Sequence, residues 1–215
     1  MAYNSSGSGF QKTSVVINLI IINVLVWVAQ LFFDKTATLG EALTDKIALF
    51  PYDSGYFKPY QLVTHMFAHA AYDAGGGIVI FHILFNMYAL WMFGSMLEKV
   101  WGPKRFLIFY LACGLGAGIA QLFLSDYPAV GASGAIMGLM AAFAYLFPNT
   151  QFYIIPLPFP IKAKYLVAVY AAIDLFGGIH PGKADNVAHF AHLGGMVVGF
   201  ILVLIWNKTN KKTFY

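Results

Sequence analysis

The chain has 215 residues, of which 60% are hydrophobic and only 10% charged, whereas a soluble globular protein carries about 25% charged and about 45–50% apolar residues. The water-facing surface of a soluble enzyme is missing, and the same arithmetic excludes a disordered regulator and, with Cys113 as the single cysteine, a disulfide scaffold. The net charge of +4 is not gathered into a basic stripe with interleaved aromatics, so no nucleic acid is expected as a partner; a polytopic membrane protein fits.

A bilayer core about 30 Å thick takes roughly 20 apolar residues as a helix. Windows of about that size lie at 14–33, 77–97, 106–124, 132–147, 161–176 and 187–206, which predicts six spans. The first is almost unbroken in Val, Ile and Leu, and no small-residue cleavage site follows it, so it does not read as a secretory signal. The fourth and fifth are short and are separated by Pro148, Pro156, Pro158 and Pro160. Gly114 with Gly118, and Gly195 with Gly199, have the four-residue spacing that lets helix backbones approach closely in lipid. Residues 14–206 therefore read as one all-α membrane domain, between a short N-terminal segment (1–13) and a basic tail (207–215).

Orientation follows from the cations. With the N-terminus inside, the inner segments hold nine: Lys12, Lys99, Lys104, Arg105, Lys162, Lys164, Lys208, Lys211 and Lys212. The outer ones hold four, Lys35, Lys46, Lys58 and Lys183, so both termini are expected in the cytoplasm. The compact chain, with no transit peptide apparent, points to a bacterial inner membrane. One connection, 34–76, is abnormally long and aromatic-rich, and is expected to pack on the bundle or dip into the outer leaflet.

Polar groups at membrane depth are expensive, so each is a functional candidate. His82 and Asn86 lie at i and i+4 on one helix face; they either pair as interhelical glue or aim at a common point. The fourth window opens Gly131-Ala132-Ser133-Gly134. This run is either a close-packing element or a serine nucleophile at a helix start, where unpaired N–H groups favour an adjacent anion. The sixth carries His189 and His192 ahead of the glycine stripe, and either can reach a serine on a neighbouring helix as general base. Asp174 reads as a structural contact near the outer end of its helix rather than a third triad member or proton relay. The pairs His65/His69 and His189/His192 have helix-compatible ligand spacing, but no cysteine or HExxH base accompanies them, so neither metal nor cofactor is expected.

Together, His82-x-x-x-Asn86, Gly131-Ala132-Ser133-Gly134 and Ala191-His192-x-x-Gly195-x-x-x-Gly199 resemble the rhomboid family of intramembrane serine proteases, in order and in the matching windows, over roughly 15–206. The resemblance implies a six-helix rhomboid-like bundle and a serine endopeptidase cutting transmembrane substrates within the bilayer. Ser133 would be the nucleophile and His192 the general base, a dyad without an acidic member. His82, Asn86 and the Ser133 backbone N–H would form the oxyanion hole, with Gly131, Gly134, Gly195 and Gly199 in support. The segment 64–69 would be a structural part of the first loop, and Glu98-Lys99 with Gly102 a common end to the second span. Departures are Tyr60-Gln61 where many relatives have Trp-Arg, Met137 where an aromatic residue is common, and a glycine-rich insertion at 70–77. The competing expectation is a catalytically silent relative that binds or chaperones membrane proteins. Substrate, cleavage preference and oligomeric state are not legible.

Overall fold

The computed structural model describes residues 14–38, 41–73, 75–153, 158–180 and 187–209. The N-terminal segment, most of the basic tail, Pro156, Lys183 and Asp185 lie outside them. The described residues are predominantly helical.

Helix α1 (Val15–Phe33) turns Val16, Leu19, Asn23 and Gln30 inward at steps of three, four and seven. Leu25, Phe32 and Phe33 point outward, more than half exposed. Amides inside and hydrocarbon outside is the arrangement that suits lipid, where buried polar groups must find protein partners. The carboxylate of Glu98 closes the start of α1, accepting from Ser14 Oγ (2.5 Å), Val15 N–H (2.8 Å) and Val16 N–H (3.1 Å). It satisfies donors left over by helix geometry and sits at the positive end of the dipole.

The long connection is folded rather than loose. It contains the short helices α2 (Leu43–Ile47) and α3 (Gln61–Thr64) and a 3-10 turn, His65–Phe67. Gln61 is its internal pin: Oε1 accepts from the backbone of Lys58 (3.0 Å) and Phe50 (3.4 Å), and Nε2 donates to the Tyr56 carbonyl (3.3 Å). Where the sequence departs at Tyr60-Gln61, a buried amide thus holds the connection together. A ladder contact between Leu49 and Ala129 ties the connection to the segment that leads into the fourth long helix.

The second helix starts and ends four residues later than the 77–97 window. Asp73 Oδ1 accepts from the N–H groups of Gly75 and Gly77, both at 2.8 Å, and Tyr72 bridges Ile78. That turn consumes the residues before Phe81. The run 81–101 then comprises α4 (Phe81–Ala89), a π-helical turn (Leu90–Gly94) and α5 (Ser95–Trp101). It stops at Gly102, whose φ of +77° favours glycine, and Pro103 opens α6 (Pro103–Leu124).

Helix α7 (Ser133–Leu146) is the centre of the molecule, with Gly134, Ala135, Ile136 and all of 138–144 buried. A two-residue antiparallel ribbon, β1 (Gln151–Phe152) with β2 (Ile161–Lys162), leads to α8 (Ala163–Ile179), and α9 (His189–Thr209) closes the bundle. Among the described residues, three helical stretches are long and apolar enough to cross a membrane: Val15–Phe33, Pro103–Leu124 and His189–Lys208.

The glycine pairs do different things. Gly195 and Gly199 face Gly134 and Gly138 across the α7–α9 contact, so that one backbone lies directly on the other. Gly114 and Gly118 instead receive the first connection. A β-carbon on Gly114 would meet Met66 Sδ at 2.4 Å, and one on Gly118 would meet the His65 ring at 3.0 Å. The expected helix–helix approach at that pair is therefore a helix–loop approach, because small residues open a groove to any chain that can fill it.

Candidate active site

Ser133 is the first residue of α7, preceded by Gly131 with φ +123° and by Ala132 at the cap. The first N–H groups of a helix have no intrahelical partner, so the Ser133 hydroxyl stands beside free backbone donors. The Gly131 N–H donates to the His65 carbonyl (2.8 Å), which fixes this approach to the folded first connection.

His192, in the first turn of α9, lies with Nε2 2.8 Å from Ser133 Oγ. Its Nδ1 lies 3.0 Å from Asp174 Oδ1 on α8, and His189 Nδ1 reaches the same oxygen at 2.8 Å. Sequence reasoning assigned Asp174 only a structural contact; here it touches both histidines that were candidates for the base. The available signal was an acid at membrane depth followed by Gly177-Gly178, which leaves one face of α8 open for a ring to settle on. His189 occupies that face, since a β-carbon on Gly177 would fall 2.4 Å from its Nε2.

His82 approaches from α4. Its Nδ1 accepts the Ala70 N–H (3.2 Å), so the neutral ring carries its proton on Nε2. That edge faces the serine loop: a β-carbon on Gly131 would sit 3.2 Å from His82 Nε2 and 3.7 Å from Ser133 Oγ. A donor and a hydroxyl thus flank one small space that glycine keeps open. Asn86 is buried nearby but donates back to the His82 carbonyl (2.8 Å), with Oδ1 lacking a partner among the described residues. Its amide is therefore turned along its own helix in this resting arrangement, not toward Ser133.

Beneath His82 lies a polar support. His69 stands edge-on to the His82 ring at 5.2 Å between centroids, and its Nε2 pairs with Asn23 Oδ1 (2.9 Å). The Gln30 Oε1 accepts the His69 N–H (3.0 Å). Burial pushes the His65 imidazole down to about 4. Burial, and then repulsion from His82, pushes His69 down to about 3. Both rings are neutral in the fold and bind protons more readily once unfolded, near pH 6.5. Their contribution to stability is complete above about pH 6.5 and is lost progressively as pH falls toward 4. Melting temperature in detergent should therefore decline between pH 7 and pH 4, less steeply in His69→Gln; parallel profiles for the two proteins would contradict this.

The chain is similar to several known proteins. Residues 56–208 match the Rhomboid domain. Rhomboid protease GluP of Bacillus subtilis is 36% identical over 124 residues, covering 57% of this chain and 23% of that protein. RHOMBOID-like protein 6, mitochondrial, of Arabidopsis thaliana is 35% identical over 150 residues, 69% of this chain and 44% of the relative. The human presenilin-associated rhomboid-like protein, mitochondrial, is 35% identical over 139 residues, 60% of this chain and 36% of its own length. The chain thus spans less than half the length of each of these curated relatives. A Rhomboid match over most of the chain, on a helical fold with membrane-crossing helices, makes this multi-pass membrane protein a member of the rhomboid family.

Proposed function

We propose that the protein is an intramembrane serine endopeptidase that hydrolyses peptide bonds in or near transmembrane segments of other membrane proteins, with Ser133 as nucleophile and His192 as general base. The observation that carries this reading is the 2.8 Å approach of His192 Nε2 to Ser133 Oγ at the head of a buried helix. In acylation the Ser133 oxygen bonds to the scissile carbonyl carbon while its proton passes to His192 Nε2. The carbonyl electron pair moves onto oxygen, where His82 Nε2–H and the Ser133 N–H stabilise it; Asn86 joins them once its amide swings away from the His82 carbonyl. Collapse of the intermediate breaks the carbon–nitrogen bond, and His192 returns the proton to the leaving amine. Water then repeats the sequence on the acyl-enzyme.

A substrate helix hides its carbonyls in internal hydrogen bonds, so segments with small or helix-breaking residues near the cut are the fitting substrates. On this reading the run 81–101, α7 and α8 also cross the membrane, giving six spans with α1, α6 and α9, and both termini are cytoplasmic, which the lysine distribution supports. Relatives from a bacterium and from mitochondria leave the membrane to be assigned by fractionation; a bacterial inner membrane is our reading.

A fluorophosphonate probe tests the chemistry. It should label the detergent-solubilised protein, fail to label Ser133→Ala and label His192→Ala far more slowly. A folded wild-type protein that resists the probe would favour a silent binder of membrane proteins.

A further inference from the structure

Of the buried polar groups in the bundle, the carboxylate of Asp174 has the most pointed geometry. Its side chain is 5% exposed, and a single oxygen, Oδ1, meets His192 Nδ1 at 3.0 Å and His189 Nδ1 at 2.8 Å. An ionised carboxylate only accepts hydrogen bonds, so each Nδ1 must carry a proton. A neutral His192 held that way has its lone pair on Nε2, facing the Ser133 hydroxyl 2.8 Å away. We propose, resting on the protease reading above, that Asp174 is a positioning residue that extends the serine–histidine pair to a third member. It sets the tautomer of His192 and balances the imidazolium formed during acyl transfer.

Several features of the fold support an anion at this place. Asp174, Gly177 and Gly178 share one face of α8, at i, i+3 and i+4. The His189 ring lies over Gly177, and a β-carbon on Gly178 would meet the Phe190 ring at 3.2 Å. The first turn of α9 is therefore seated flat on α8, and the carboxylate lies beside the N–H end of that helix, where a negative charge is favoured. His189 has a part in this: its Nδ1–H donates to the same Oδ1, a second bond that helps hold the carboxylate beside His192. The proton stays on His192 Nδ1 throughout; Asp174 is not itself protonated in the cycle.

This separates an orienting carboxylate from a tie between two helices. A tie would serve equally well with an amide. An orienting group would not, because a carboxamide in place of the carboxylate can present its NH₂ to His192 Nδ1 and so hold the proton on Nε2, where it blocks the base. Asp174→Asn should lower kcat on a single-span membrane substrate by on the order of 10²–10⁴-fold with little change in KM. Asp174→Ala should be no worse than Asp174→Asn. The groups facing His192 are Asp174 from α8, Ser133 from α7 and His189 from its own helix.

Wild-type protein labelled with ¹⁵N-histidine gives a readout independent of whether any Asp174 variant folds. The signal lost in His192→Gln should show the Nδ1–H tautomer at neutral pH. An Nε2–H tautomer, or full kcat in a folded Asp174→Asn protein, would overturn the proposal. Ser133→Ala run alongside keeps the two readings apart. If it still cleaves, the protease reading fails; if it is inactive while Asp174→Asn retains full activity, only the role of Asp174 fails.

Discussion

Ser133→Ala protein, reconstituted with a single-span membrane substrate, should fold as the wild type does and cleave nothing above background. Ser133 is half-buried and its hydroxyl bonds to His192, so deleting one oxygen opens almost no cavity. The chemistry is another matter. Loss of the nucleophile or its base in a serine protease costs on the order of 10⁶ in kcat. Asn86→Ala gives the graded comparison: loss of one oxyanion donor costs about 10²–10³. Its stability should hold, because the variant also deletes an Oδ1 that has no partner among the described residues. Cut fragments quantified over time in proteoliposomes distinguish the three proteins. Equal fragment yield from Ser133→Ala and wild type would end the assignment.

Gly195→Ala should also be damaging, by a different route. A β-carbon there would lie 1.8 Å from the carbonyl oxygen of Gly134 and 2.7 Å from its carbonyl carbon. Where side chains can yield, overpacking costs about 1–3 kcal/mol. Here backbone faces backbone, so α9 itself must move off α7 and the cost should lie at or above the top of that range. Ser133 is next to Gly134 in α7, and His192 is one turn before Gly195 in α9. Any separation of the helices lengthens the 2.8 Å contact between them, and misplacement by about 1 Å can cost 10²-fold in rate. Gly114→Ala is the control, since its new methyl would meet the flexible end of Met66 instead. Melting temperature and fluorophosphonate labelling should both fall sharply in Gly195→Ala and much less in Gly114→Ala. Wild-type values for Gly195→Ala would show that α7 and α9 are not in this contact.

These contrasts mark what could be read in advance. Apolar windows located the long helices to within a few residues, because a hydrocarbon solvent leaves little freedom in composition. Ser133 and His192 stood out because polar groups at that depth are scarce and both precede glycines that imply close packing. Glycine spacing said that something would come close, but not what. Gly195 and Gly199 meet a helix, whereas Gly114 and Gly118 meet the first connection, and periodicity carries no record of the partner. The helix face of Asn86 left open whether it pairs or aims at a common point, and its bond to the His82 carbonyl depends on a rotamer that spacing does not specify. The two contacts of Asp174 were not legible because its histidines lie 15 and 18 residues away on another helix. Their convergence needs the flat seat at Gly177, which is a matter of register between α8 and α9.

The closure of α1 by Glu98 has a consequence for how the molecule is made. Synthesis delivers α1 first, yet the acceptor for its leading N–H groups follows 82 to 84 residues later. The amides of Asn23 and Gln30, turned inward on the same helix, likewise find His69 only after the first connection has emerged. A nascent chain halted before His69 therefore holds a first helix that can enter lipid but lacks both the partner of its two inward amide oxygens and the acceptor at its open end; one halted between His69 and Glu98 still lacks the acceptor. Arrival of the second helix is the point at which the first one is finished, so the chain carries its own test of completeness ahead of the helices that bear Ser133 and His192.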